Sequence, residues 1–548
     1  MSLERSYVAA DVFGLSTSAR RALSRRPAPP GFDGLVIPRT SADVEPPPDP
    51  FDPDAREELV QALSHGLAPH RPHVAVVEAI RQLGRPGTAI VLAGQQPGFL
   101  GGPLYNLHKA AHAIRLAREL SAAWQRPVVA GFWNHTDDHD LAEVHSLWIQ
   151  NPDLDLRKVG MASTSSTRRP LSDIVFDEET HRLGPVRELL AQNLWDGGPK
   201  EAALDLFVPR GGESFGEAFG RVMLELFGDQ GLIVFEPRMI RAQLSRALAG
   251  ALGTSWRAPL LERAGAMRED GFDVPIDPES AALVFRVVEG QKRALRFSNG
   301  TNELGYDDEP GSRTQVELAA EVLDAPDEFI AGALLRPVLQ DAVLPTAAYV
   351  GGWGELAYHL ELTQLRRALG VPVPAFVPRV SATLVTPESR HALERLEAPV
   401  ADVLRASGQY GADDAIHDGP PVVARLDAVA NVATTSLLAL RDQLAALDPG
   451  LARQAKRTAD QVTQQIQRLA QKATRVHSTQ SGRGRRHLRR LNQGLTPRGG
   501  PQERVRGALE FVARFGQEWI SEWIDAIEPF PTEHVVLDLA EPSDPERS

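Results

Sequence analysis

The chain contains no cysteine among its 548 residues. This absence excludes disulfides, thiolate metal ligands and a protein thiol nucleophile. Any metal would have to be held by histidine and carboxylate side chains. Any cysteine chemistry would have to be carried out on a substrate.

Long apolar runs and an excess of positive charge are also missing. No uninterrupted apolar segment approaches the ~20 residues that a membrane-spanning helix needs, and residues 1–6 lack the apolar core of a signal peptide. We therefore expect a cytoplasmic protein without a membrane partner. The net charge of −13 argues against general nucleic-acid binding, because phosphate backbones need a basic protein face.

The chain is long for one core, so its length predicts more than one domain. The apolar pattern predicts alternating strands and helices, with strands at 88–93, 127–133 and 231–235 and helices at about 103–122 and 239–252. A right-handed strand-helix-strand crossover makes such a sheet parallel. Apolar segments at 283–288 and 294–297 predict an antiparallel hairpin inserted into this α/β core.

A glycine-rich turn at 94–102 follows the first predicted strand. Its glycines permit positive φ and a close approach of the backbone to a ligand. The helix that follows would point free N–H groups at that ligand, which favours an anion. The alternative is a packing turn without a ligand. The crowding of polar residues favours a ligand site, because their burial costs solvation energy unless a ligand or a network compensates; these are Gln95, Gln96, Tyr105, His108 and Lys109.

A histidine- and aspartate-rich segment, 135–145, follows the second predicted strand. This is the edge of an open α/β sheet where ligands bind. We predict substrate binding or acid–base chemistry by Asp138, His139 and Asp140. The spacing matches no standard metal signature, so no metal ligand is predicted. The alternative is that Asp138 or Asp140 only caps the next helix.

A second strand-glycine-helix junction lies at 346–358. Two such junctions on one parallel sheet would face each other across a cleft where the strand order reverses. Glu355 either complements the dipole of the helix or holds a substrate ammonium group. Beyond a further strand at 373–381, Arg379 is a candidate anion ligand.

The last third of the chain carries a heptad pattern at 426–447 and again at 455–476. Pro449 must break the helix between them, which predicts an antiparallel pair or two consecutive helices. The pattern fits a bundle within one subunit and a coiled coil that mediates dimerisation equally well. The basic run at 483–490 is predicted to be a solvated loop, or else a contact for a phosphate-bearing ligand or an acidic surface.

Several blocks of this sequence carry a family resemblance: GQQPGFLGGPLYNLHK at 94–109, FW at 132–133 with DHD at 138–140 and Glu143, LRPVLQD and YVGGWGELAY within 335–358, PRVS at 378–381, PRGGPQER at 497–504 and HVV at 534–536. Together and in this order they resemble the BshC family of bacillithiol biosynthesis. Asp137 stands where glutamate is commoner and Trp353 where proline is commoner. The basic run at 483–490 also exceeds what the family requires.

The resemblance implies an α/β fold with a Rossmann-like parallel-sheet core, inserted connecting-peptide segments and a C-terminal α-helical coiled coil used for homodimerisation. The implied boundaries are a core at 1–385 with insertions at roughly 151–230 and 255–330, a helical region at 386–530, and a tail at 531–548 that returns to the core.

The resemblance also implies a ligase that joins the carboxyl group of L-cysteine to the amine of glucosaminyl-malate. A free carboxylate must be activated before it forms an amide, so an adenine nucleotide (ATP or ADP) is expected on chemical grounds. The chain has no P-loop, and a nucleotide would have to use the strand-helix turns. The alternatives are a non-catalytic Rossmann-like scaffold or another transferase acting on an amino sugar.

On this hypothesis, three groups of residues line one cleft for the small-molecule substrates. They are Gln95, Gln96, Asn106, His108 and Lys109; Asp138, His139 and Asp140; and Arg336, Gln340, Gly352 and Glu355.

Roles follow from the charges of the implied substrates. A substrate ammonium group needs a carboxylate, for which Asp138 or Glu355 is expected. Lys109 or Arg379 is expected to neutralise a substrate carboxylate.

The remaining roles are proton transfer and the binding of neutral groups. The amine must lose a proton near neutral pH, so His108 or His139 is the expected general base. Gln95 and Gln96 are expected to hydrogen-bond the sugar or the malate.

Overall fold

A computed structural model of the chain describes residues 3–24, 31–48, 53–162, 168–254, 256–298, 303–306, 311–411 and 421–540. The chain forms two compact units: Met1–Pro387 together with Gly500–Ser548, and Glu388–Gly499. Residues 500–530, which the sequence groups with the helical region, therefore lie in the first unit. The physical reason is burial, since Trp519 and Trp523 are fully buried in the hydrophobic core there.

In the described residues the strands are β1 (Glu4–Ala9), β2 (Ala89–Gln95), β3 (Val128–Asn134), β4 (Ser146–Gln150), β5 (Leu156–Gly160), β6 (Ile233–Phe235), β7 (Val284–Val288), β8 (Gln291–Phe297), β9 (Leu304–Tyr306), β10 (Phe329–Ala331), β11 (Thr346–Gly351), β12 (Ala375–Pro378), β13 (Ser381–Val385) and β14 (Glu533–Asp538).

The α-helices of the same residues are α1 (Thr17–Ser24), α2 (Pro53–Leu67), α3 (Val74–Leu83), α4 (Tyr105–Trp124), α5 (Leu141–Val144), α6 (Leu183–Asn193), α7 (Lys200–Phe207), α8 (Phe215–Phe227), α9 (Arg241–Leu252), α10 (Arg257–Glu269), α11 (Gln315–Asp324), α12 (Arg336–Val343), α13 (Trp353–Glu361), α14 (Thr363–Ala368), α15 (Pro387–Arg395), α16 (Val400–Arg405), α17 (Pro421–Ala439), α18 (Arg441–Leu447), α19 (Pro449–Gly494), α20 (Gln502–Val505), α21 (Ala508–Phe515) and α22 (Glu518–Ala526). Within this described part, no helix is both long and apolar enough to cross a membrane.

The central sheet of the first unit has five parallel strands in the order β12-β11-β2-β3-β6. The Rossmann-like core predicted from the sequence is therefore confirmed. The chain builds β2, β3 and β6 outward in one direction and then returns to place β11 on the other side of β2. The carboxyl ends of β2 and β11 thus form the point where the strand order reverses, which is where ligands bind in such folds.

Both faces of this sheet are covered. Along β2, Val91 and Ala93 belong to one hydrophobic core, whereas Ile90 and Leu92 belong to another. Because every second side chain faces the opposite core, the strand is apolar throughout, as parallel strands buried on both faces are. Helix α4 packs against β2 and β3, and most of its residues are buried.

Smaller sheets surround the central one. The predicted hairpin is confirmed as β7 and β8, which pair antiparallel within the four-stranded sheet β10-β7-β8-β9. The single strand predicted at 373–381 is instead two strands: β12 joins the central sheet and β13 pairs with β14. Strand β14 lies in the tail at 531–548 and also pairs antiparallel with β1.

The second unit contains the helices of the heptad region. Helices α17 and α19 pack together. A hydrogen bond joins them between the hydroxyl groups of Thr434 and Thr463, whose oxygens lie 2.7 Å apart. The break expected at Pro449 is confirmed, because α18 ends at Leu447 and α19 begins at that proline. The prediction of a loop at 483–490 is wrong, because α19 continues through these residues to Gly494. Arginine is a good helix former, and no proline interrupts the chain there.

Candidate active site

The turn between β2 and α4 is too tight for side chains at several glycines. A Cβ atom on Gly98 would lie 2.4 Å from the backbone Cα of Gly102, and Gly102 itself has a φ of +68°. The Asn106 side chain holds the turn by donating from Nδ2 to the carbonyl oxygen of Gly101 at 3.3 Å. Asn106 is therefore buried beneath the turn and supports it, rather than lining the cleft above.

A cavity of about 340 Å³ opens above the carboxyl ends of β2, β3 and β11. Among the predicted site residues, those that line it are Gln95, Gln96, Lys109, Arg336, Gly352, Glu355 and Arg379. The other lining residues are Gly94, Tyr105, Trp133, His135, Glu143, Tyr349, Gly354, Tyr358 and Arg504. The cavity thus brings together residues from both predicted strand-glycine-helix junctions.

Lys109 is buried at the floor of this cavity. Its Nζ donates to the carbonyl oxygen of Gly94 at 2.7 Å and to Gln95 Oε1 at 2.8 Å, and it pairs with Glu355 Oε2 at 2.7 Å. Burial lowers the pKa of the ammonium group, and the nearby Glu355 carboxylate partly offsets this effect. The charge of Lys109 is thus already neutralised within the protein.

The Glu355 carboxylate is likewise fully engaged. Oε1 accepts hydrogen bonds from the hydroxyl groups of Tyr349 at 3.0 Å and Tyr358 at 2.9 Å, and Oε2 accepts from the Gly352 N–H at 2.6 Å. Burial raises the pKa of Glu355, but Lys109 and the hydrogen bonds from Gly352 and Tyr358 together outweigh burial, so the pKa lies below its usual value. Glu355 therefore holds the cleft together, and this geometry does not support it as a ligand for a substrate ammonium group.

Arg379 has a protein counterion as well. Its guanidinium donates to both oxygens of Glu503, at 2.9 and 2.5 Å. Burial raises the pKa of Glu503, yet Arg379, His108 and His534 together outweigh burial and the pKa falls to about 2. Such a bidentate pair positions both side chains but leaves Arg379 without an unpaired charge for a substrate carboxylate.

Charges without a protein partner are found elsewhere on the cavity wall. Within the described residues, the guanidinium groups of Arg336 and Arg504 make no hydrogen bond or ion pair, and the carboxylate of Glu143 makes none either. Arg336 is half-buried at the start of α12, whereas Arg504 and Glu143 are exposed. Sequence reasoning missed Arg504 as a site residue and gave Glu143 no role, although both belong to the blocks that carry the family resemblance.

Of the described histidines, His135 is the one that lines this cavity. Burial lowers its pKa to about 3, and Arg336 contributes to this shift, so the ring is neutral at physiological pH. The two histidines predicted as bases lie elsewhere. His108 is in the core, where its Nδ1 accepts from the Trp523 indole N–H at 3.2 Å, and His139 lies beside Asp138 with Nδ1 3.5 Å from Oδ1.

The acidic loop after β3 is held by its own contacts. Asp138 accepts from Gln96 Nε2 at 2.6 Å and from the His139 N–H at 2.6 Å. Asp140 accepts from the Glu143 N–H at 3.2 Å and caps α5, as the capping alternative predicted. In the described part of the chain, no group of three or more histidine, aspartate and glutamate residues is arranged to hold a metal ion.

Two further residues of the cleft region are structural. Gln340 is buried within α12, beside Asp341, and does not line the cavity. Asp137 forms a buried pair with Arg241, with oxygen–nitrogen distances of 3.0 and 2.5 Å. Lys292 on β8 donates to the carbonyl oxygen of Asp137 at 2.6 Å and so ties the inserted hairpin to this loop.

Two family models match the chain, and between them they span most of it. The model described as the N-terminal Rossmann-like domain of bacillithiol biosynthesis BshC matches residues 47–380, and the C-terminal coiled-coil domain of BshC matches residues 382–539. The chain belongs to the BshC family.

Curated relatives of the BshC family match over nearly the full length. The protein named "Putative cysteine ligase BshC" from Koribacter versatilis is 30% identical over 497 residues, which cover 89% of this chain and 90% of that protein. The protein of the same name from Symbiobacterium thermophilum is 30% identical, and the match covers 83% of this chain and 84% of that protein. The one from Bacillus cereus is 26% identical, and the match covers 88% of this chain and 91% of that protein.

Both BshC family models contribute residues to the cavity. Most of the wall comes from the segment matched by the N-terminal model, but Arg504 comes from the segment matched by the coiled-coil model. Arg504 and Glu503 follow Gly500 and so belong to the first compact unit. In this BshC chain the cleft is therefore completed by residues far away in sequence.

Proposed function

We propose that this chain is a ligase that joins the carboxyl group of L-cysteine to the amine of glucosaminyl-malate, as the last step of bacillithiol biosynthesis. The observation that carries the proposal is the set of unpaired charges on the cavity wall: the guanidinium groups of Arg336 and Arg504 and the carboxylate of Glu143. Family membership and the names of the relatives support a role in this pathway.

The unpaired charges complement the two substrates. Glucosaminyl-malate carries two carboxylates, and charge-assisted hydrogen bonds from Arg336 and Arg504 would hold them. Glu143 would hold an ammonium group, the role that the sequence assigned to Asp138 or Glu355. Gln95 and Gln96 line the same wall and would donate and accept hydrogen bonds with the sugar hydroxyls.

The amine must lose a proton as the amide forms, and we assign this step to His135. Its ring is neutral and therefore able to accept a proton. A carboxylate bound to Arg336 would offset the positive charge that depresses the pKa of His135. Substrate binding would thereby make His135 a stronger base at the moment when the base is needed.

Amide formation from a free carboxylate also needs an activated acyl group, so an adenine nucleotide is the proposed cosubstrate. Purified protein with L-cysteine, glucosaminyl-malate and ATP should yield bacillithiol by mass spectrometry. Release of AMP would indicate an adenylate, and release of ADP would indicate an acyl phosphate.

The proposal is tested in cells by deletion of the gene and thiol profiling. We expect glucosaminyl-malate to accumulate and bacillithiol to disappear, and the wild-type gene to restore the thiol. Arg336→Gln should fail to restore it, whereas Arg115→Gln, a matched change at another half-buried arginine that pairs with Glu119, should succeed. Undiminished bacillithiol in the deletion strain would contradict the proposal.

A further inference from the structure

A second cavity of about 350 Å³ adjoins the first and shares Gly352, Gly354, Arg379 and Arg504 with it. Its remaining wall comes from the N-terminal segment and from residues around β13 and β14. The proposed function uses the first cavity and gives the second one no role. A ligase that joins two substrates must hold both, and the second cavity adjoins the first.

Ser381 and His534 both line this second cavity. They face each other in the parallel pairing of β13 and β14. The Ser381 hydroxyl oxygen lies 2.9 Å from His534 Nδ1, and His534 Nε2 lies 2.9 Å from the hydroxyl oxygen of Thr383. A serine within hydrogen-bond reach of a histidine whose other nitrogen is held by a third group is the arrangement of an activated nucleophile.

The surroundings keep this pair ready for proton transfer. Burial lowers the pKa of His534 to about 4, so its ring is neutral and can accept a proton. The Ser381 hydroxyl also reaches Glu503, donating to Oε1 at 3.1 Å, and the negative charge of Glu503 favours the protonated form of His534. The ring of Phe13 packs edge-on against His534 at 5.4 Å between centroids and fixes its orientation.

We propose that Ser381 is an acyl-accepting nucleophile with His534 as its general base. The substrate class is a mixed carboxylic–phosphoric anhydride, which an adenylate or an acyl phosphate both provide. The Ser381 oxygen forms a bond to the acyl carbon, the bond from that carbon to the phosphate oxygen breaks, and its electron pair leaves with the phosphate. The hydroxyl proton passes to Nδ1 of His534.

The resulting ester is then consumed by the amine substrate. The amine nitrogen attacks the ester carbon, the Ser381 oxygen leaves and takes the proton from His534, and the proton lost by the amine passes to His135, the base assigned to it under the proposed function. The identity of the acyl group, cysteinyl, rests on the proposed function. The reactivity of Ser381 does not rest on it, and it is tested without any of the proposed substrates.

The first experiment uses a fluorophosphonate, which labels activated serines covalently. We expect peptide mass spectrometry of the full-length protein to find the label on Ser381. His534→Gln should slow labelling by about a hundredfold, the lower end of a general-base contribution. Ser121→Ala, a matched change at a serine whose hydroxyl donates to the Arg126 carbonyl, should leave labelling unchanged.

The second experiment exploits the absence of cysteine, since one introduced thiol is then unique in the chain. Ser381→Cys should be alkylated by iodoacetamide faster than Ser16→Cys, because both residues line the same cavity but only Ser381 contacts a histidine. Adding His534→Gln to Ser381→Cys should remove the difference.

The two experiments separate a nucleophile from a hydrogen bond that only joins β13 to β14. No label on Ser381, together with equal alkylation of the two thiols, would overturn the proposal even if thiol profiling supports the ligase. Labelling of Ser381 in the full-length protein, combined with undiminished bacillithiol in the deletion strain, would instead support the nucleophile and contradict the proposed function.

Discussion

At the scale of single residues, the cleft is organised by ion pairs whose members compensate each other. Lys109 is 2% exposed and faces Glu355, and Arg379 is 6% exposed and faces Glu503. A buried charge is tolerable only with such a partner, because desolvation of an unpaired ion costs several kcal/mol. The charges left unpaired at the rim are therefore the ones available to ligands.

The Lys109–Glu355 pair gives a prediction about stability. Lys109→Met should lower the free energy of unfolding by about 2–3 kcal/mol. The expected loss is somewhat smaller than the loss from breaking a fully buried ion pair, because the Glu355 side chain is 21% exposed. Urea unfolding measures the change, with Arg115→Met in the more exposed pair with Glu119 as the control. A loss below ~1 kcal/mol would show that the pair is not needed to neutralise Glu355.

The buried histidines predict acid sensitivity. Burial lowers the pKa of His108 from 6.5 to about 4, so the unfolded chain takes up this proton before the folded protein does. Stability should therefore fall as the pH drops from about 6.5 towards 4, by up to ~1.4 kcal/mol per pH unit for this group. His108→Gln keeps an acceptor for Trp523 and should flatten the slope of urea unfolding free energy against pH. An unchanged slope would contradict the assignment.

Residue types near the cleft could be predicted from the sequence, but their partners could not. Arg379 was a reasonable anion ligand until Glu503, 124 residues later, proved to be its counterion. His108 fits a general base by its position after a glycine turn, yet its side chain points to Trp523 in the core. Such pairings depend on long-range packing, which no local pattern records.

At the scale of elements, strands that form apolar runs were predictable because a parallel strand buried on both faces has that signature. The division of 373–381 into β12 and β13 could not be predicted. The chain stays extended while it passes from one sheet to another, so the sequence pattern does not show where one strand ends. The helix at 483–490 was also not predicted. The basic composition of this segment is equally compatible with a solvated loop and with the exposed side of a helix.

The β2–α4 turn provides a prediction at this scale. Gly98→Ala would place a methyl group against the backbone of Gly102, which cannot rotate away as a side chain can. We expect a loss of roughly 1–3 kcal/mol in unfolding free energy and a failure to restore bacillithiol in the deletion strain. Gly184→Ala is the control, because its new Cβ would have no neighbour within 4 Å. Equal unfolding free energies and equal restoration of bacillithiol in the two variants would show that the turn can accommodate a Cβ atom at position 98.

At the scale of the whole molecule, the described part of the helical unit carries many exposed apolar side chains. They include Val429 at 56% exposure, Val432 at 66%, Leu447 at 78% and Leu469 at 54%. Val429, Leu447 and Leu469 lie on the predicted heptad pattern, and exposed apolar residues of this kind favour association with a second helical surface. A second copy of the chain is the partner that the family resemblance implies, through this same region.

We therefore predict a homodimer formed through α17 and α19. Light scattering at micromolar concentration should give twice the 59.7 kDa mass of the chain. The double variant Val432→Lys and Leu469→Lys should give the monomer mass, because it places charges within the apolar surface. Val316→Lys, a change at a valine that is 73% exposed on α11 of the first unit, should remain dimeric. A monomeric wild-type protein would mean that the apolar side chains of α17 and α19 do not join two subunits, and the cleft of each chain would then work independently of a second copy.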